Sequence, residues 1–215
     1  MKYPKINTIW KRDQKTGKIV EGEYARDEFA NIGKWLVTEK IDGTNIRVFF
    51  NPITGTVRFA GRTDEAQTPP HLLAALQTIF APDILAITFP DTPERPRPES
   101  VILFGEGYGP KIQKGGGDYR TDAGFILFDV WVDGWWLERG SVEEIAMKLH
   151  IPVVPKIGVM SLSDAIAYVK TTPKSNVAIK EKVAEGVVCR AYPLMLFRDG
   201  TPIFCKLKVR DFNGG

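Results

Sequence analysis

The sequence predicts an α+β fold in which helices flank largely antiparallel sheets. Short β-branched or aromatic runs recur along the chain, turn signals separate neighbouring runs, and the few helical patterns stand between hairpins. A doubly wound parallel sheet would require strands and helices to alternate regularly. The order of the runs argues against that architecture.

The first half of the chain contains three predicted strands, at 34–40 (KWLVTEK), 44–50 (TNIRVFF) and 56–60 (TVRFA). The intervening NPITG is a turn signal, so the last two strands should form a hairpin. Residues 71–80 (HLLAALQTIF) have helical spacing. Residues 90–100 are too rich in proline for a helix or a strand and predict a loop.

The second half contains four more predicted strands, at 101–108, 125–132, 186–192 and 203–209. Asp-Gly before WWLE is a hairpin signal, and RDG predicts the turn between the last two strands. A helix is predicted from Ser141 to His150, because Ser141 and Glu144 have the spacing of a capping box. A second helix is predicted at 163–170.

Composition indicates a soluble globular protein with one domain over residues 1–215. The sequence has neither an apolar run long enough for a membrane span nor an N-terminal signal core, so we expect a cytoplasmic location. The two cysteines have no spacing typical of zinc or disulfide frameworks. The net charge of +3 does not by itself indicate nucleic-acid binding.

Charged residues occur where strands should be apolar. Lys206 and Lys208 share one face of a predicted strand, roughly 7 Å apart, and Arg47 lies opposite the apolar face of TNIRVFF. Glu106 and Glu185 adjoin apolar runs. Each residue alone is explained by a solvated face or a strand end. Together they predict one shared cleft, where carboxylates bind a divalent cation and lysines bind phosphates.

Lys40 ends the apolar run WLV and is followed by Ile41, Asp42 and Gly43. Neighbouring cations would lower the pKa of such a lysine from its usual value of about 10.4. The free amine is then a nucleophile that can attack the α-phosphate of a nucleoside triphosphate and expel pyrophosphate. We expect Gly43 to allow a tight turn beside the nucleotide. The pattern K-x-D-G is weak evidence on its own.

The chain resembles the covalent nucleotidyltransferases, which include ATP-dependent DNA ligases, RNA ligases and mRNA capping enzymes. The K-x-D-G run resembles their first motif, and five others follow in the family's order: Gly61-Arg62-Thr63, Phe104-Gly105-Glu106, Phe128-Asp129-Val130, Glu185-Gly186-Val187-Val188 and Lys206-Leu207-Lys208. The lead-in GKWLVTEKIDGTN and the run FGEGYGPKIQKGGGDY are most similar to the RNA ligase 2 group. Asp42 departs from that group, which often has histidine there.

The resemblance implies an ATP-grasp-like nucleotidyltransferase fold and a covalent mechanism. Lys40 would attack ATP and become lysyl-AMP, while Lys206 and Lys208 would bind the α-phosphate as pyrophosphate leaves. Glu185 would work with Mg²⁺ or Mn²⁺, and Asn45 would support the step at the RNA end. The implied metal ligands are Asp42, Glu106 and Glu185.

Other residues would bind the nucleoside. Glu39 would help to position adenine, and Phe128 would stack on the adenine ring. We favour Phe128 over Phe125, because Phe125 would share its strand face only if the strand were irregular. Glu106 would contact the ribose hydroxyls. Arg62 would contact ribose or phosphate, and later the 5′-phosphate of the RNA.

The resemblance therefore predicts an ATP-dependent RNA ligase acting on RNA ends, and it leaves open whether these belong to a nicked duplex, a tRNA break or a single strand. A small DNA ligase, a capping guanylyltransferase and a binding module with an inactive site are the alternatives. Because the sequence ends soon after Lys208, we expect an adenylyltransferase domain without a C-terminal OB or helical domain, either a minimal ligase or the catalytic domain of a longer one. Substrate contacts would come from a partner protein or from Lys111, Lys114 and Arg120 of the loop 109–120, whose alternative is a solvated loop.

Overall fold

The computed structural model describes residues 1–93 and 96–212. It divides into two compact units: unit 1 comprises Met1–Tyr3 and Asp42–Val154, and unit 2 comprises Pro4–Ile41 and Pro155–Gly215. Each unit has its own five-stranded sheet and its own apolar core. The predicted α+β class with largely antiparallel sheets is confirmed. The assignment of residues 1–215 to one domain stays a prediction.

The described strands, in chain order, are β1 (Asn7–Thr8), β2 (Trp10–Arg12), β3 (Ile19–Tyr24), β4 (Trp35–Lys40), β5 (Thr44–Asn51), β6 (Thr56–Ala60), β7 (Val101–Tyr108), β8 (Gly124–Val132), β9 (Trp135–Trp136), β10 (Lys156–Met160), β11 (Gly186–Ala191) and β12 (Phe204–Lys208). The α-helices are α1 (Pro70–Ile79), α2 (Pro82–Thr88), α3 (Arg139–Lys148), α4 (Leu162–Lys170) and α5 (Val209–Phe212). Short 3₁₀ helices occupy Asp27–Asn31 and Gly116–Asp118.

Unit 1 is an antiparallel sheet in the order β6-β5-β7-β8-β9. Strand alternation puts Ile46, Val48 and Phe50 of β5 on one face, where they join a core that includes residues of α1, α2 and α3. Asp133 and Gly134, both with positive φ, form the predicted hairpin turn between β8 and β9. The opposite face of this sheet carries the polar residues of the unit-1 motifs.

Unit 2 is a sheet in the order β1-β12-β11-β4-β10, antiparallel except for the β1–β12 pair. The short hairpin β2–β3 belongs to the same unit. Alternating residues of β4, β11 and β12, including Trp35, Val37, Cys189 and Leu207, form a core with α4. As expected, Cys205 and Leu207 are buried, while Lys206 and Lys208 on the other face are only half-buried.

Some local predictions were wrong or incomplete. Helix α3 begins at Arg139 with Glu138 as its N-cap, so Ser141 lies inside the first turn and forms no capping box. Helices α2 and α5 and strands β1, β2, β3 and β10 were not predicted. Residues 90–93 and 96–100 form a loop as predicted, with a single bridged residue and no helix or longer strand. Residues 94 and 95 of the predicted loop lie outside the described residues.

Within the described residues, no single helix has the length and apolar character needed to cross a membrane. Helices α1 and α2 meet that criterion only when taken together, as a pair bent by 46°.

Candidate active site

The end of strand β4 carries the predicted nucleophile. Strand β11 lies between β4 and β12, and Gly186 is directly opposite both Lys40 and Lys208. Gly186 has a φ of +151°, and a Cβ there would lie 2.0 Å from the carbonyl oxygen of Leu207. A glycine is therefore required at the point where the sheet brings the two lysines onto strands flanking β11.

Glu185, the residue before Gly186, joins the two lysines. Lys40 Nζ donates to Glu185 Oε2 at 2.5 Å, and Lys208 Nζ donates to Glu185 Oε1 at 2.7 Å. All three side chains are 18–22% exposed. Burial raises the pKa of Glu185, but the two lysines outweigh it, so the pKa lies below its ordinary value. The sequence predicted Glu185 and the lysines in one cleft but did not predict that this carboxylate lies between Lys40 and Lys208.

Glu39, the predicted adenine contact, is 2% exposed. Its carboxylate accepts hydrogen bonds from Ser175 Oγ and from the backbone N–H of Asn176, the latter at 2.8 Å. Burial and the negative charge of Glu39 raise the pKa of Tyr168. Glu39 thus fastens the segment that leads to Glu185. No sequence signal marked Ser175 or Asn176, and the adenine contact stays a prediction.

On the polar face of the unit-1 sheet, Asn45 of β5 is opposite Glu106 of β7. Asn45 Oδ1 is buried and, within the described part of the chain, has no hydrogen-bond partner. A buried acceptor without a partner is unfavourable unless a ligand supplies a donor. Next to this pair, a Cβ on Gly43 would lie 2.3 Å from Gly107 O and 2.8 Å from Glu106 Cγ. Gly43 is therefore needed for close approach to β7.

A β-bulge places Phe128 on the same polar face. The pairing of β7 with β8 shifts where Phe104 is opposite Asp129 and Gly105 is opposite Leu127, so Phe128 is the extra residue. Its ring contacts that of Tyr3 with centroids 5.0 Å apart, and Tyr3 Oη donates to Asp129 Oδ2 at 2.5 Å. The strand is irregular, yet the competing Phe125 remains in the core, edge-on to Phe80.

Arg62 is exposed at the end of β6, in a loop held by Arg47, which the sequence had placed with the residues of the shared cleft. Arg47 is fully buried, although strand alternation had placed it on a polar face. It donates to Gly61 O at 2.7 Å, to Asp64 Oδ1 at 2.8 Å and to Met1 O at 2.8 Å. Two of these bonds hold Gly61, the residue before Arg62, and Asp64, which lies two residues after it. An arginine inside an apolar strand was the available signal.

The loop 109–120 contacts the backbone that follows the nucleophile. Gln113 Nε2 donates to Gly43 O at 3.1 Å, and Tyr119 Oη accepts from the N–H of Asp42 at 3.3 Å. Arg120 is paired with Asp122, whereas Lys111 and Lys114 are exposed. The loop is thus anchored in unit 1, and a nucleic-acid contact through its two lysines stays a prediction.

The predicted metal ligands do not form a preassembled site. Among residues 1–93 and 96–212, no three His, Cys, Asp or Glu side chains come together as a metal site would require. Asp42 and Glu106 belong to unit 1 and Glu185 to unit 2. Mg²⁺ commonly binds through one or two carboxylates and completes its shell with water and substrate phosphates. Each unit therefore offers the one or two carboxylates that a metal bound to a nucleotide would use.

Comparisons with known proteins identify the family and the fold. The sequence model of the RNA ligase family matches residues 33–204, whereas no curated protein sequence matches significantly. A Naegleria gruberi RNA ligase variant with ATP and manganese is similar in structure: TM-score 0.64, 16% identity, covering 97% of this chain and 56% of that one. The same ligase with pyrophosphate matches with a TM-score of 0.61 and 18% identity, over 95% of this chain and 61% of that one. A variant with AMP and manganese matches with a TM-score of 0.60 and 18% identity, over 96% of this chain and 61% of that one.

The chain thus spans less than two thirds of the length of these solved ligases. The likeness to them establishes a shared fold. The family match runs from just before β4 to the start of β12 and includes Lys40, Glu106, Phe128 and Glu185. This protein belongs to the RNA ligase family.

Proposed function

We propose that this chain is an ATP-dependent RNA ligase that seals 5′-phosphate and 3′-hydroxyl ends. The observation that carries the proposal is the ion-paired set formed by Lys40, Glu185 and Lys208. It combines a nucleophile with cations that can bind a phosphate, at the positions where the family's motifs occur. Structures of the similar ligase with ATP, with AMP and with pyrophosphate support the same nucleotide chemistry.

In the first step, Lys40 Nζ attacks the α-phosphorus of ATP. A P–N bond forms, the bond to the bridging oxygen of pyrophosphate breaks, and the amine loses a proton to water. Lys206 and Lys208 would stabilise the negative charge that develops on the phosphates. A divalent cation at Glu185, Asp42 or Glu106 would neutralise phosphate charge.

Glu185 is better suited to orient Lys40 than to accept its proton. The two lysines hold the pKa of Glu185 below its ordinary value, so the carboxylate is a weak base. Its hydrogen bond to Lys40 fixes the direction of Nζ.

In the second step, an oxygen of the RNA 5′-phosphate attacks the lysyl-AMP. The P–N bond breaks, Lys40 regains a proton, and AMP is joined to the RNA end. Arg62 is the proposed contact for that phosphate. In the third step, the 3′-hydroxyl attacks the 5′-phosphorus, forms the phosphodiester and releases AMP, with Asn45 at the RNA end. Because the reaction consumes ATP, the proposal includes an intracellular location.

Intact mass spectrometry tests the first step directly. The protein is incubated with Mg²⁺ and either ATP or GTP, alongside Lys40→Ala and the control Lys34→Ala, which changes an exposed lysine just before β4. We expect an AMP adduct with ATP in the wild type and the control, and none in Lys40→Ala. A GMP adduct would indicate a capping enzyme. No adduct in folded, pyrophosphate-treated wild-type protein would overturn the ligase proposal.

The polynucleotide is tested with nicked duplexes that differ only in the sugar of the strand carrying the 3′-hydroxyl. We expect faster sealing when that strand is RNA. Equal or faster sealing with a DNA strand would overturn the assignment to RNA in favour of a DNA ligase.

A further inference from the structure

An open cleft in unit 2 is lined by charged residues that have no part in the chemistry above. Its volume is about 490 Å³. It is bordered by the hairpin β2–β3, the end of α4 and the short helix α5. The charged residues of its lining are Arg12, Lys18, Glu21, Lys170, Arg210 and Asp211.

The charges in this cleft do not balance. Arg12 pairs with Asp211 at 2.5 Å, and Lys170 pairs with Glu21 at 3.3 Å. Lys18 and Arg210 are exposed, and among the residues that the structure describes neither has an acidic partner. The four cations and two acids leave a net charge of +2, located on Lys18 and Arg210.

The cleft is held in shape by one of its own residues. Arg12 donates from Nη1 to Gly17 O at 2.8 Å and from Nη2 to Asp211 Oδ2 at 2.5 Å. It therefore ties the turn of the hairpin to α5. Lys18 follows Gly17, so both unpaired cations are attached to backbone that Arg12 fixes. Fixed cations bind a polyanion with a smaller loss of conformational freedom than cations on mobile loops.

The cleft is also near the candidate catalytic lysines along the chain. Arg210 comes two residues after Lys208, so their Cα atoms are at most about 7 Å apart. Helix α4 packs on the face of the unit 2 sheet opposite Lys208, so the cleft would meet phosphates of the RNA beyond the end that Lys208 binds. The apolar lining consists of Ile19 and Phe212, both only partly exposed, which does not favour insertion into a membrane.

We propose that this cleft binds backbone phosphates of the RNA substrate outside the reaction centre, through Lys18 and Arg210. This inference rests on the proposed ligase function and names a substrate contact that the family motifs do not contain. Such a contact acts on RNA affinity and leaves the reaction with ATP unchanged.

The test compares Lys18→Glu/Arg210→Glu with Lys34→Glu/Arg198→Glu. Both pairs replace one exposed lysine and one exposed arginine of unit 2, and only the first pair lines the cleft. Binding of a 5′-phosphorylated nicked RNA duplex is measured without ATP at several salt concentrations. For the cleft variant we expect at least about tenfold weaker binding near 0.1 M salt. Its log–log salt slope should be smaller by roughly 1.4–1.8, as for two lost phosphate contacts.

AMP-adduct formation, measured on the same proteins, separates the two proposals. Wild type without an adduct would overturn the ligase function. Normal adducts in every variant, with equal RNA affinities for the two double variants, would overturn the proposal that the cleft binds RNA phosphates. Loss of binding to anionic phospholipid vesicles without loss of RNA affinity would also overturn it, and would assign the cleft to a membrane surface.

Discussion

At the scale of single residues, Glu185 is where the charges of unit 2 meet. It accepts hydrogen bonds from two lysines on the strands that flank β11, which begins at the next residue. Removing its charge would leave two partly buried ammonium groups without their shared counter-ion. The same change would remove the group that orients Lys40. Glu185→Gln therefore tests both the chemistry and the electrostatics of the site.

We expect Glu185→Gln to slow AMP-adduct formation by about 100-fold or more, the magnitude typical of losing a preorganised electrostatic contact. Single-turnover adduct formation measures this rate. Glu181→Gln is the matched control, because Glu181 is an exposed partner of Lys174 in the segment just before Glu185. A rate for Glu185→Gln within twofold of the control would contradict the assigned role.

The same variant should change the pH dependence of stability. The pKa of Glu185 is lower in the folded protein than its ordinary value of 4.5, so its stabilising effect is fully present above pH 4.5. That effect is lost as the pH falls through the lower folded pKa. Urea unfolding at pH 7 and below pH 4.5 should show a difference between wild type and variant that shrinks in acid. A difference that grows in acid would have the wrong sign.

The buried hydrogen bonds of Arg47 lead to another prediction at the scale of single residues. Arg47→Met keeps most of the volume but leaves the carbonyl groups of Gly61 and Met1 without their donor. We expect a loss of about 2–4 kcal/mol in the free energy of unfolding, measured with urea. Arg58→Met is the control, since Arg58 is exposed and stacks on Phe49. Equal effects of the two variants would show that the buried bonds are unimportant.

At the scale of elements, the two longer helices of the second half begin differently. Ser161 caps α4, because its Oγ accepts from the N–H of Asp164 at 3.2 Å. Ser141 has the spacing of a capping residue but lies within α3, whose N-cap Glu138 makes no side-chain capping bond. Arg139 instead binds the carbonyl of Val154 at 2.7 Å and pairs with Glu143. These two contacts hold Arg139, the residue at which α3 begins, two positions before Ser141.

This difference predicts unequal effects of the same substitution. Ser161→Ala should lower the free energy of unfolding by about 1 kcal/mol, since it removes a cap. Ser141→Ala should change it by less than about 0.5 kcal/mol, because alanine is favourable inside a helix. Chemical denaturation of both variants makes the comparison. A larger loss of stability for Ser141→Ala than for Ser161→Ala would contradict this assignment and support the capping box predicted from the sequence.

At the scale of the whole molecule, each unit is assembled from segments that are distant in the sequence. In unit 2, β1 pairs with β12, and β4 pairs with β10 and β11. The strands that carry the motifs were predictable, because alternation and turn signals are local properties of the sequence. Strand β10 and helix α2 were missed, since KIGVM and PDILAIT are short runs whose burial depends on distant partners.

The candidate site shows the same division. The positions of Lys40, Glu185 and Lys208 followed from motif order, whereas the register that sets Lys40 and Lys208 on the two strands beside β11 is visible only in the structure. The ion pairs that Glu185 makes were not predictable, because a spacing of residues does not specify which charges meet. Nor was the bond between Glu39 and Ser175, whose residues are 136 positions apart.

The sequence alone determines the α+β class, most strands and the family, because strand alternation and motif order can be read directly from the order of residues. Contacts between distant segments decide the rest. They bury Arg47 on a face that alternation marks as polar, and they place Cys189 opposite Cys205, where burial raises the pKa of the Cys205 thiol. They also set the bulge that directs Phe128 away from the core. Such features arise from the pairing and burial of groups that only folding brings together.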